Sequence, residues 1–370
     1  MSRPANQPTP RQSTRKQSPS VHLAESERPT PAEATVTPAL LNEMSRAFVR
    51  TAVLRTAVAL RIFDALVDGP CPVEKVAAGV GASPRGTRIL LDSLAAFGLV
   101  DRTPEGYLPA PGAETLLVSS SPSYVGGNLR VAASDWEWEA LGRLAEAVRA
   151  GGTVLAANAD TPNFAFWEDF ATYATPFTAR GADLVADTVA PWAAGRSGLS
   201  VLDVACGHGQ YGFAVASRLP GSRLTCLDWP AVLAVTRENA ARAGLADRVE
   251  YRSGDMFTTE PGGPYDVIVI SNVLHHFAEA RAGALLTRLA GLLRPGGRLV
   301  VVGFTVDEDV PPVADPRPHL FSLHMLTLTP EGETHSAQTY RRMLTAAGLG
   351  RVETVTTAGQ PLTVLIGTAP

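Results

Sequence analysis

Residues 199–212 read LSVLDVACGHGQYG, and the fold turns on this stretch. Val201-Leu202-Asp203-Val204 has the length and β-branched content of a buried parallel strand, it ends in glycines, and a helical pattern follows over 210–219. Gly207, Gly209 and Gly212 spell GxGxxG, and Asp228 closes the next apolar run, SRLTCLD, at about the spacing of a dinucleotide fingerprint. Spacing alone therefore fits NAD. The local charge argues otherwise, because Asp203 stands at the strand end, where a pyrophosphate needs backbone N–H groups and a helix dipole unopposed by a carboxylate.

A cofactor with a cationic amino-acid end suits that place better. S-adenosylmethionine has a sulfonium and an ammonium to face Asp203, and ribose hydroxyls for Asp228. Asp203 fits a helix-capping or turn carboxylate equally well. Two later segments tip the balance. RVEYRSGDMF, residues 248–257, reads as a third strand ending in Asp255, with Met256 and Phe257 offering apolar surface to an adenine ring. YDVIVISNVLHHF, residues 265–277, reads as a fourth strand running into His275 and His276.

DVACGHG, LDWP, GDMF, VLHHF and LLRPGGRLVVV, in this order, resemble the class I S-adenosylmethionine-dependent methyltransferases. More narrowly, the chain is similar over roughly residues 40–368 to the dimeric small-molecule O-methyltransferases of plant phenolic and bacterial secondary metabolism. The resemblance implies an α/β fold, a Rossmann-like methyltransferase sheet with an N-terminal helical winged-helix dimerisation domain, and a homodimer. It places Asp203, Gly207, Gly209, Asp228, Trp229, Asp255, Met256, Phe257, Ser271 and Phe277 on S-adenosylmethionine. It implies an aromatic or polyketide-type acceptor, with Phe166, Trp167, Phe177, Asn272, His276, Phe321, His324 and Met325 as candidate walls, although any of these aromatics also reads as ordinary core.

In the family's LHDW-like motif a histidine is the general base, and the matching residue is His275. His276 falls where the family often has Asp, and the pair also fits helix-capping or structural histidines. The chain departs from the plant-type pattern at two acidic positions that orient the base, which fall on Gly303 and Thr334; the adjacent Glu333 substitutes if the loop shifts by one residue. A phenol near pKa 10 giving its proton to an imidazole near 6.5 is uphill by about 3.5 units, roughly 5 kcal/mol. Acidified phenols or enols are therefore favoured, or a carbon nucleophile, so that a C-methyltransferase or another use of the cofactor stays open.

The 370 residues suffice for two domains, and a net charge of -4 with pI near 6.0 supplies no field for nucleic acid or an anionic membrane. Cys71, Cys206 and Cys226 show no CxxC or Cys/His ligand spacing and give neither a disulfide framework nor a metal set, so a cytoplasmic setting is expected. No run approaches the roughly 18 apolar residues of a membrane span. The N-terminus lacks a signal-peptide core.

Along the chain four regions are expected. Residues 1–38, rich in Pro, Ser, Thr and Gln, read as a disordered tail. Residues 39–118 read as the winged-helix-like dimerisation domain: an apolar helical segment over 39–67, helices over 73–78 and 85–97, and a strand pair turning at 104–106. A DNA reader would use Arg85 and Arg88, but Asp92, Asp101 and Glu105 oppose them. Residues 119–195 form a helical linker and acceptor-pocket layer, and 196–370 the cofactor domain, closed by an antiparallel pair turned at Ala358-Gly359-Gln360. The proline-bearing stretch 305–333 reads as a loop-rich acceptor lid or a plain excursion. A ligand-sensing winged-helix regulator and an NAD-dependent dehydrogenase are the rival classes.

Overall fold

The computed structural model describes residues 35–356 and 362–370, so the tail over 1–34 and the turn at Ala358-Gly359-Gln360 lie outside the described residues. The N-terminal part comprises α1 (Pro38–Ala59), α2 (Val73–Gly79), α3 (Pro84–Ala96) and the hairpin β1 (Val100–Thr103) and β2 (Gly106–Pro109). Thr37 Oγ1 accepts from the Leu40 N–H and Ser83 Oγ from the Gly86 N–H, so two of these helices begin on hydroxyl caps followed by proline. Cys71 exchanges both backbone hydrogen bonds with Tyr107, which adds a third short rung to the wing. Gly106, at φ +138°, is required there, since a Cβ would stand 2.3 Å from the Cys71 carbonyl oxygen. Asp92 gathers Arg88 at 2.9 Å, Arg102 at 3.5 Å and the Tyr107 hydroxyl at 2.6 Å, so two of the wing's cations are already paired.

A helical layer follows: α4 (Ala113–Leu117), α5 (Leu129–Ala132), α6 (Asp135–Gly142), α7 (Leu144–Ala150), α8 (Phe166–Tyr173) and α9 (Thr175–Ala193). The remainder alternates as β3 (Ser200–Val204), α10 (Gln210–Arg218), β4 (Arg223–Asp228), α11 (Pro230–Arg242), β5 (Val249–Ser253), β6 (Tyr265–Ser271), α12 (Glu279–Ala290) and β7 (Leu293–Phe304). It ends with α13 (Arg317–Leu328), α14 (Ala337–Ala346), β8 (Gly350–Thr356) and β9 (Leu362–Thr368).

One seven-stranded sheet has the order β5-β4-β3-β6-β7-β9-β8, with β9 antiparallel to both β7 and β8 and all other pairs parallel. Period-two alternation divides its side chains between two faces. Val201, Val267, Val269, Val300 and Val364 join α9, α10 and α11 on one face; Leu202, Ile268, Ile270, Leu299 and Leu365 join α12 and α14 on the other. Burial on both faces explains the continuous apolar runs, each such side chain contributing about 1.5–3 kcal/mol. The parallel strands share one carboxyl edge, which carries Asp228 and Ser271 and opens beside β3.

The 305–333 stretch is not purely loop: it contains α13, with Pro318 inside its first turn, where a missing N–H costs nothing. Residues 39–67 form one 22-residue helix and a 3-10 turn, and on that helix only Ala57 is buried. Leu40, Leu41, Met44, Phe48 and Val49 are exposed, Met44 at 66% and Phe48 at 60%. Among the described residues no helix is long and apolar enough to cross a membrane.

Candidate active site

The turn after β3 is built by three left-handed residues, Ala205 (φ 52°), Gly207 (55°) and Gly209 (82°), the last preceding the first residue of α10. Asp228, half-buried at the end of β4, holds this turn: Oδ2 accepts from the Gly207 N–H at 2.8 Å and Oδ1 from the Trp229 N–H at 2.7 Å. The amide that a pyrophosphate would need is thus already taken by a carboxylate, which argues against a dinucleotide. Burial pushes the Asp228 carboxyl up to about 6, so it is ionised at neutral pH and able to accept ribose hydroxyls.

Asp203 requires a correction. It is fully buried and outside the cavity wall, with Oδ2 accepting from the Gly212 N–H at 2.9 Å, so it braces helix to strand and does not face a sulfonium or ammonium. A Cβ on Gly212 would lie 2.7 Å from that oxygen, which accounts for the third glycine. Its Oδ1 is buried without a partner, and burial holds the carboxyl well above the usual range. Gly209 likewise stays off the wall, covered by the Phe213 ring, which a Cβ would meet at 2.3 Å.

A cavity of about 410 Å³ extends from this turn into the helical layer. Gly207, Asp228, Trp229, Asp255, Met256, Phe257, Ser271 and Phe277, all expected on the cofactor, line it. Asp255 caps its own turn, accepting from the Phe257 N–H at 2.8 Å, and the Phe257 and Phe277 rings meet edge to face at 5.0 Å. Arg281 lies 4.6 Å from both ring centroids and donates to Asp160 of the helical layer. An apolar slot beside a carboxylate, with no cluster of cations for phosphates, fits the adenosine of S-adenosylmethionine.

Asn272, His275 and His276 line the same cavity. Asn272, at φ 52°, donates through Nδ2 to the Tyr211 hydroxyl at 2.9 Å, and its Oδ1 is buried without a partner. His275 lies on a 3-10 turn directly after β6; its Nδ1 is buried and unpaired. Burial, then His276, His335 and His324, hold its pKa well below that of an ordinary histidine, so the ring is neutral. Burial similarly lowers His276 to about 4, and its ring stacks on Trp167 at 5.3 Å.

The departure read from the sequence at Gly303 and Thr334 holds in the structure. Gly303 has no side chain to offer, Thr334 donates its hydroxyl to the Pro318 carbonyl at 3.0 Å, and Glu333 is exposed, so a one-residue shift does not rescue the pattern. Phe166, Trp167, Phe321, His324 and Met325 line the far chamber; the Phe177 side chain lies outside the described residues. Sequence reasoning missed Trp136, Glu137, Asp160, His208, Tyr211 and Arg281, which also line the cavity. Arg281 lies in the first turn of α12, just beyond Phe277. Asp160, brought in by a loop, carried no signal. Among the described residues no group of three or more His, Cys, Asp or Glu is placed to hold a metal ion.

The chain matches the O-methyltransferase domain family over residues 184–350 and the O-methyltransferase dimerisation domain over 42–119. It is 31% identical over 337 residues to the tetracenomycin polyketide synthesis 8-O-methyl transferase TcmO of Streptomyces glaucescens, covering 89% of this chain and 96% of that one. To acetylserotonin O-methyltransferase of Mus musculus it is 33% identical over 335 residues, 84% of each chain. The solved structure of PigF with SAH superposes with a TM-score of 0.79 at 26% identity, over 90% of this chain and all of that one. Fold and site together define an S-adenosylmethionine-dependent methyltransferase. Within that class the chain belongs to the small-molecule O-methyltransferases that carry this dimerisation domain.

Proposed function

We propose that the enzyme methylates a phenolic or enolic hydroxyl of an aromatic or polyketide-type small molecule, with His275 accepting the hydroxyl proton. The observation that carries this reading is the position of a neutral imidazole where the cofactor pocket opens into a chamber walled by Trp136, Phe166 and Trp167. S-adenosylmethionine supplies the methyl group when bound. The chain's own residues have three tasks: Asp228 and the Met256/Phe257/Phe277 slot hold the cofactor, the aromatic wall orients a planar acceptor, and His275 receives a proton. The lowered pKa of His275 and its lack of a carboxylate partner favour acceptors whose hydroxyl is already acidic, such as enols or phenols beside a carbonyl. The name of the polyketide-synthesis relative supports the same class.

The test is product identity. Incubation with methyl-labelled S-adenosylmethionine and a hydroxyanthraquinone is expected to give a methyl ether by NMR; label on a ring carbon instead would move the assignment to C-methylation.

The exposed apolar face of α1 and the dimerisation-domain match support a homodimer. Phe48→Asp, a change on that face, is expected to convert the dimer to monomers in sedimentation velocity at micromolar concentration. A dimer unaffected by Phe48→Asp and Met44→Asp together would place the interface elsewhere.

A further inference from the structure

Among the aromatic and aliphatic walls that the helical layer and α13 bring to the cavity stands a hydrogen-bonded polar pair. Glu137 enters from the first turn of α6, His324 from α13, and His324 Nε2 lies 3.1 Å from Glu137 Oε1. Glu137 is only 5% exposed, whereas the His324 side chain is 27% exposed, and both line the cavity. A carboxylate oxygen accepts, so the contact suits the tautomer with hydrogen on Nε2, and in that tautomer Nδ1 keeps its lone pair as an acceptor.

Packing does not need this contact. Ala140, Met325 and Leu328, with Trp136 and Phe321 against them, already join α6 to α13 through apolar surface. A buried carboxylate among such residues is costly, so a purely structural tie is a poor use of it. Phe321 relates the pair to the reacting end, its ring centroid lying 4.8 Å from that of His275 and 6.4 Å from that of His324. Phe321 thus neighbours both imidazoles, and both line the same cavity.

We propose that Glu137 and His324 form a second acceptor anchor, in which His324 Nδ1 accepts a hydrogen bond from a hydroxyl other than the one methylated. This rests on the aromatic-acceptor reading above. It makes the acceptor a polyhydroxylated ring system, and it makes the pair a determinant of which hydroxyl is presented at His275.

The test uses the full-length protein saturated with S-adenosylhomocysteine, titrated calorimetrically with naphthalene-2,7-diol, 7-methoxy-2-naphthol and 2-naphthol. The diol is expected to bind about tenfold more tightly than the other two, the size of one good hydrogen bond. In His324→Phe that advantage should fall below about twofold while 2-naphthol affinity stays unchanged. Glu137→Leu, which frees the ring to take either tautomer, should lose part of it. His324→Met replaces His324→Phe if the latter does not fold. Equal binding of diol and methoxynaphthol, or an advantage that survives both variants, would overturn the proposal; a lowered melting temperature with discrimination intact would leave the pair a structural tie. Failure of all three probes to bind, with S-adenosylhomocysteine still bound, would instead remove the aromatic-acceptor reading itself.

Discussion

Asp228→Ala is expected to weaken S-adenosylmethionine binding by about 10²–10⁴-fold, read by calorimetry. Two hydrogen bonds from ribose hydroxyls to a carboxylate are worth about 1.5–3 kcal/mol each, which gives that range directly. The loss has a second source, because the same carboxylate secures the Gly207 and Trp229 amides and so keeps the turn in its left-handed path. Asp228→Asn separates the two: its carbonyl oxygen retains one amide acceptor but not the charge, so binding should fall between wild type and alanine.

The pH dependence follows with a definite sign. The Asp228 carboxyl sits near 6 in the folded protein, above its ordinary range, so the native state holds a proton that the unfolded chain has already lost. For the free enzyme this contributes stability below about pH 4 that is lost as pH rises through 6. Cofactor affinity runs the other way, since only the ionised form accepts both hydroxyls. It should decline about tenfold per unit below pH 6 and level off above 7. In Asp228→Asn the slope should vanish; a slope that persists in that variant would assign it to another group.

How much of this was legible in the sequence depends on what kind of contact carries each part. The sheet was readable because a parallel strand buried on both faces writes itself as an uninterrupted apolar run, as in VLDV and YDVIVIS, and because the glycine turn has a steric cause. The strand-end placement of Asp228, Asp255 and Phe277 was readable for the same reason, since chain order fixes which residues lie at or just beyond a strand's carboxyl end. Asp203 shows the limit. Its place at the end of β3 was right, but one residue's difference in pleat decides whether a strand-end side chain faces the ligand or the covering helix, and here it faces Gly212. The acceptor chamber was the least readable part. Glu137, Asp160 and His324 come from separate pieces of chain and meet only through tertiary packing, and α13 was hidden by prolines that are harmless in a first turn. The acidic positions beside His275 show the converse: the sequence already put Gly303 and Thr334 there, and Glu333, the substitute it offered, stands exposed.

His275→Ala is expected to lower kcat by about 10²–10⁴-fold while leaving S-adenosylmethionine affinity within about twofold, since a positioned proton acceptor contributes to that extent and His275 touches none of the Asp228 hydrogen bonds. The environment of the ring adds two finer expectations. Burial and three neighbouring histidines keep its pKa well below that of an ordinary histidine, so the base form is already complete at pH 6.5 and the kcat profile should show no rising limb there. A hydroxyl whose pKa lies well above the assay pH needs a base to take its proton, whereas one already ionised does not. The cost of His275→Ala should therefore shrink as the acceptor hydroxyl's own pKa falls toward the assay pH, and nearly vanish for a hydroxyl already ionised. Single-turnover rates across a series of phenols of graded acidity measure this. A loss independent of phenol pKa would make His275 a positioning group for the acceptor, and a variant with undiminished methyl-ether formation on every phenol would leave it no part in the proton transfer.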